Sequence, residues 1–142
     1  MKPEFEQALA ELNGGKPAEK HHDGWWLFSD GSLDMTAAAK LMIGVPARLM
    51  TVTGRYRADG ETDVIYHFDV EKEIVNLSTH THGQKLPSIT PLIAAANWIE
   101  REIHDLYGVT FEGHPQPDRL IRPPQIPEGL YREQGGKPSA EK

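Results

Sequence analysis

Val64, Tyr66, Phe68 and Val70 alternate with a second set containing Asp63, His67 and Asp69, and this alternation limits the possible folds more than any other feature of the chain. Successive side chains leave a strand on opposite faces, so the run has one apolar and one polar face. The apolar face must be buried. The polar face is either solvated or meets another protein, and spacing alone leaves both open. Neighbouring strands are readable on either side. Met50, Val52 and Tyr56 alternate with polar residues over about 47–57, and Asp59-Gly60 supplies the turn between the two strands. Glu71-Lys72 forms a tight turn into a further strand over about 73–82, with Val75 and Leu77 inward.

Helical periods flank this group. Phe5, Ala8, Leu9 and Leu12 repeat at helical spacing over 3–13, and Asp34 caps a helix over about 35–43 that Gly44 and Pro46 end. Residues 14–24 read as a loop, and Trp25–Phe28 as a short strand. Five of the 11 prolines (Pro115, Pro117, Pro123, Pro124 and Pro127) crowd into one stretch, which proline's fixed φ and missing N–H make extended and irregular. The ordered unit is expected to be one domain over 1–131, followed by a fraying polar tail over 132–142.

The strongest helix is expected over 91–107, opened by Pro91 and stopped by Gly108. At about 100° per residue, Leu92, Ala96, Ile99, Ile103 and Leu106 form its core stripe. Trp98 lies off that stripe, on the side of Glu102 and Asp105. It either packs under a neighbouring loop or anchors a partner, since tryptophan is enriched at interface hot spots.

Composition removes most chemistry. The 142 residues contain no cysteine, which excludes disulfides, thiolate metal sites, cysteine-bound iron–sulfur clusters and thiol nucleophiles. A net charge of −6 opposes a general nucleic-acid surface. No run reaches the roughly 18–20 apolar residues of a membrane span, and no signal peptide opens the sequence, so a cytosolic chain is expected. No P-loop, dinucleotide fingerprint or nucleophile elbow is present. His80 and His82 leave one strand face together and, with His67, are the only candidate metal set, with a surface strand edge as the plainer reading. Glu100 and His104 read as an i,i+4 surface pair, and Arg119 and Arg122 as surface arginines suited to a partner's carboxylates.

One stretch carries a resemblance. Leu86-Pro87-Ser88-Ile89, the run Ala96-Asn97-Trp98-Ile99-Glu100-Arg101-Glu102, then Asp105-Leu106-Tyr107-Gly108-Val109, Phe111, Gly113-His114-Pro115 and Arg119-Leu120 resemble the signature of the 30 kDa subunit family of respiratory complex I, the NADH dehydrogenase. That family includes the equivalent small subunits of energy-converting membrane-bound nickel–iron hydrogenases. The match is dense over 86–124; over 1–85 only the element order agrees.

The resemblance implies an α+β domain of two layers. Helices pack on one mixed or antiparallel sheet in the order α-β-α-β-β-β-α, with a proline-rich C-terminal extension. It implies no cofactor and no catalytic residue. The partners it implies are the hydrogenase-like large subunit and the iron–sulfur small subunit of one complex, on the cytoplasmic face and at the membrane only through them. The implied interface is Trp98, Glu100, Arg101, Glu102, Asp105, His114, Arg119 and Arg122, with Gly108, Gly113 and Pro115 as structural positions. Asp118 stands where the family usually has a basic residue, and the end of the chain soon after Tyr131 points to the compact hydrogenase type rather than a complex I subunit. The rival from another class is a small metal-dependent enzyme using His67, His80 and His82.

Overall fold

In the computed structural model, residues 1–31 and 33–131 are described. The expected tail over 132–142 therefore lies outside the described residues. The alternating run is strand β4, Thr62–Val70, an inner strand of the domain's main sheet. Ahead of it come helix α1 (Pro3–Leu12), strands β1 (Glu19–His21) and β2 (Gly24–Phe28), helix α2 (Met35–Ile43) and strand β3 (Ala47–Tyr56). After it come β5 (Glu73–His80), β6 (Lys85–Pro87), helix α3 (Asn97–Tyr107) and β7 (Thr110–Glu112). Five strands form a mixed sheet in the order β1-β2-β5-β4-β3, with β2 parallel to β5 and the other pairs antiparallel. β6 and β7 form a separate parallel pair.

Val64, Tyr66, Phe68 and Val70 are all buried on one face, together with Val75 and Leu77 of β5 and Leu27 of β2. They share one apolar core with Phe5 and Leu9 of α1, Met35, Ala38, Ala39 and Met42 of α2, and Ile103 of α3. The helices thus cover the apolar face, giving the expected α+β domain with a mixed sheet. α2 is capped as expected: Asp34 Oδ1 accepts the Ala37 N–H at 3.0 Å.

Four details differ from the sequence reading. β1 falls inside the expected 14–24 loop, and β6 and β7 have no counterpart in it, since three-residue strands leave no period to read. In β3 the register shifts between Leu49 and Thr51, so Leu49 and Val52 point inward while Met50 sits at the bulge, exposed. α3 opens at Asn97 after a single 3₁₀ turn over Ala94–Ala96, six residues later than expected, because Ile93 is extended (φ −126°, ψ 93°). Leu92 is consequently exposed and outside the core; Ile99 and Leu106 are half-buried, leaving Ala96 and Ile103 as the buried part of the stripe.

α3 lies close against β3 because Gly54 has no side chain. A Cβ there would stand 2.7 Å from Cε2 and 2.8 Å from Cδ2 of Tyr107. This approach sets where the helix, and the segment after it, meet solvent.

Candidate partner interface on α3 and the proline-rich segment

The charged residues of α3 divide into those that turn inward and those that do not. Glu100 is fully buried. Its Oε1 accepts from Ser88 Oγ (2.6 Å), Thr90 Oγ1 (2.5 Å) and the Thr90 N–H (3.2 Å). Its Oε2 accepts from the Ile89 N–H (3.2 Å) and Tyr66 Oη (3.3 Å). The carboxylate therefore fixes the backbone of 88–90 outside the helix. Burial, reinforced by the charge of Glu100 and their hydrogen bond, holds the Tyr66 phenol well above its ordinary value. The Glu100–His104 surface pair is not formed. His104 Nδ1 donates to the Val109 carbonyl at 2.8 Å, and its Nε2 lies 3.0 Å from Glu128 Oε2.

Asp105 is also buried, at 1% exposure. Its Oδ2 accepts three consecutive backbone N–H groups, from Leu120 (2.9 Å), Ile121 (2.8 Å) and Arg122 (3.1 Å). Its own carbonyl accepts the Gly129 N–H at 2.9 Å. Burial raises the Asp105 carboxyl, but the donors from Ile121, Leu120 and Arg122, with the Arg122 charge, outweigh it and hold the group below the ordinary carboxylate value. Arg101 supports the same segment from the helix, donating Nε to the Asp118 carbonyl and Nη2 to the Arg119 carbonyl, both at 3.0 Å. Arg122 turns inward, with Nη1 on the Ile126 carbonyl at 2.6 Å and Nε 3.5 Å from Asp105 Oδ1.

His114 is buried at the start of the helix. The Gln116 N–H donates to its Nδ1 at 2.9 Å, so Nε2 carries the proton and donates to the Asn97 carbonyl at 3.1 Å. Gly108 (φ 72°) and Gly113 (φ 81°) take the left-handed conformations that the helix end and the following turn require, and Pro115 is exposed just beyond. Of the residues expected at an interface, Glu100, Arg101, Asp105, His114 and Arg122 therefore have internal partners. Spacing on a helical wheel could not reveal this, because their donors lie on other segments.

The side chains left outward are few. Trp98 is 69% exposed, so it does not pack under a loop. Ile121 is 58% exposed and Leu92 39%, while Glu102 and Arg119 are exposed beside them in sequence. The side is apolar at its anchors and charged around them, the composition of a docking surface.

The rival site does not assemble. His67 is engaged on both ring nitrogens, by Thr53 Oγ1 at 2.8 Å and Asn76 Oδ1 at 2.6 Å. The rings of His80 and His82 lie 5.5 Å apart, but among the described residues no group of three or more His, Asp or Glu side chains could hold a metal ion. A concavity of about 1040 Å³ opens on the outer sheet face, lined by stacked Trp26 and Phe28 and by Arg55 and Arg57. Both arginines there are paired with Asp63.

The sequence model of the family described as the respiratory-chain NADH dehydrogenase 30 kDa subunit matches residues 33–134, including every signature position named above. The chain belongs to this family. It is 39% identical over 85 residues to the NADH-quinone oxidoreductase C/D polypeptide of Ectopseudomonas mendocina, covering 57% of this chain and 14% of that one. It is 36% identical over 76 residues to a NADH-quinone oxidoreductase subunit of Chloroherpeton thalassium, covering 46% of this chain and 29% of that one. The chain thus matches only a minor part of these relatives' length. Two solved structures share the fold. A trypsin-resistant fragment of Nqo5 superposes with a TM-score of 0.55 at 23% identity, covering 79% of this chain and 95% of that one. A chain of the membrane-bound sulfane sulfur reductase, an archaeal respiratory membrane complex, superposes at 0.66 with 18% identity, covering 93% and 80%. Among the described residues, no helix is long and apolar enough to cross a membrane.

Proposed function

We propose that this chain is a non-catalytic structural subunit of a membrane-associated, complex I-like electron-transfer complex, on its cytoplasmic side. It docks through the outer side of α3 and the proline-rich segment onto the complex's hydrogenase-like large subunit, next to the iron–sulfur small subunit. The observation that carries this reading is Trp98. Its indole, at the centre of the family signature, is 69% exposed while the charged signature residues around it are used to hold the chain in shape. Fully burying such a side chain against a partner gains about 1.5–3 kcal/mol or more. The absence of cysteine fits a subunit that leaves iron–sulfur clusters to its neighbours.

The complex is of the NADH:quinone oxidoreductase type on the strength of the 36–39% sequence identity to such subunits. The energy-converting hydrogenase type is the second reading, resting on the signature shared by both groups. The subunits that copurify with the tagged chain from its native membranes decide between them.

The docking reading is tested with Trp98→Ala in the full chain. Copurification with the large subunit should fall at least tenfold, with the isolated chain's melting temperature within about 2 °C of the parent's. Equal loss of both would make Trp98 a packing residue and sink the proposal.

A further inference from the structure

Residues 118–129 have no regular secondary structure and include Pro123, Pro124 and Pro127. Such a stretch cannot satisfy its own backbone through helix or sheet, and an unsatisfied N–H removed from water is costly. Here α3 supplies the partners. Arg101 takes two carbonyls, Asp105 takes three successive N–H groups on one oxygen, and Glu128 reaches back to His104. The stretch is a strap whose backbone is bound by the side chains of one helix.

The middle of the three N–H groups bound by Asp105 belongs to Ile121. Its main chain is drawn onto the helix while its side chain is left 58% exposed. Seven residues before Asp105 on the same helix stands Trp98, and seven residues are close to two full turns, so the two share one side of α3. The carboxylate that fixes the strap therefore also fixes Ile121 on the side of the helix that carries Trp98.

We infer that Asp105 is a positioning residue for docking: it preassembles a composite surface in which the strap, through Ile121, is contacted by the same partner as Trp98. The inference rests on the docking reading above and extends it from the helix to the strap. The partner segment it fits is an apolar socket wide enough for an indole and a branched aliphatic side chain, with acidic character towards exposed Arg119. A strap held in its bound form before association loses less conformational freedom on docking.

The test uses the tagged full chain in its native membranes, with the copurifying large subunit identified by mass spectrometry. Asp105→Ala should speed amide exchange at Leu120, Ile121 and Arg122 at least tenfold, leave β4 and β5 protected, and lower copurification at least tenfold. Asp105→Asn, which keeps an acceptor oxygen, should restore most of both. Ile121→Asp, an exposed change that leaves folding intact even if Asp105→Ala does not, should lower copurification at least tenfold with exchange unaltered. The inference is overturned if Asp105→Ala leaves the three amides protected. It is also overturned if Ile121→Asp stays within twofold of the parent. If Ile121→Asp weakens copurification while Trp98→Ala does not, the strap surface stands and the Trp98 anchor is what fails.

Discussion

The Tyr66 hydroxyl and the Glu100 carboxylate, 34 residues apart in sequence, meet at 3.3 Å inside the core and join β4 to α3. Glu100 accepts four further bonds, from Ser88, Ile89 and Thr90. Glu100→Ala would strand most of these donors in a buried site, the Thr90 N–H keeping Ser88 Oγ as an acceptor at 3.1 Å, and each unsatisfied group costs about 1–3 kcal/mol before relaxation. A loss of at least about 3 kcal/mol is expected, with Glu100→Gln falling between it and the parent. Urea unfolding followed by tryptophan fluorescence measures this; a change below about 1 kcal/mol for the alanine variant would contradict the structure.

The strap should loosen in acid. Asp105 is held below the ordinary carboxylate value in the folded chain, so it binds fewer protons folded than unfolded near its titration. Its stabilising contribution is fully present above the unfolded value of about 3.9 and is lost as pH falls through the lower folded value. The charged group facing it is Arg122, at 3.5 Å. Proteolysis within 118–131 should accelerate below about pH 4 while β4 and β5 remain protected. Asp105→Asn, which cannot titrate, should flatten that response. Glu61, also held low by donors from Thr81, Gln84 and Gly83 against an opposing burial effect, should retain its own acid response in that variant.

The turn between β4 and β5 offers a stabilising change. Glu71 (φ 50°) and Lys72 (φ 71°) both occupy the left-handed region without being glycine, as a two-residue hairpin turn with φ > 0 at both positions demands. Asn-Gly is the pair best suited to such a turn. The double variant Glu71→Asn, Lys72→Gly should gain about 0.5–2 kcal/mol, less the small exposed Lys2–Glu71 pair it removes. Thermal unfolding should show a melting temperature higher by a few degrees. A fall would mean that the turn changes type when substituted.

How far the fold can be read from the sequence depends on how local its causes are. α2 is legible end to end because Asp34, Gly44 and Pro46 act on their immediate neighbours. β4 is legible because its alternation is carried by one run of residues. The start of α3 is not: Ile93 is extended, and the segment 88–90 just before it is held by the side chain of Glu100, 10–12 residues further on. The inward turn of Asp105 is hidden for the same reason, since its donors lie 15–17 residues away in a segment without periodicity. Met50 departs from the expected pattern through a bulge that leaves no mark on the alternation of β3. At the candidate interface, the signature identifies which residues matter, whereas only their burial separates Trp98, which faces out, from Glu100, Asp105, His114 and Arg122, which hold the surface in place.

Gly54 tests whether the helix–sheet approach beneath that surface is set by the absence of a side chain. A methyl group there would lie 2.7 and 2.8 Å from two atoms of the Tyr107 ring and 3.0 Å from Cδ1 of Ile103. The ring also meets Tyr131, edge-on at 5.6 Å between centroids, so moving it disturbs the segment just after the strap as well. Overpacking of this kind costs about 1–3 kcal/mol. Gly54→Ala is expected to lie in that range and to speed amide exchange around residue 131. Adding Tyr107→Ala should cancel much of the clash, so a double-mutant cycle should give a coupling energy of about 0.5 kcal/mol or more between the two positions. Additive losses would mean that β3 yields instead of the ring, and that α3 is located by its other contacts.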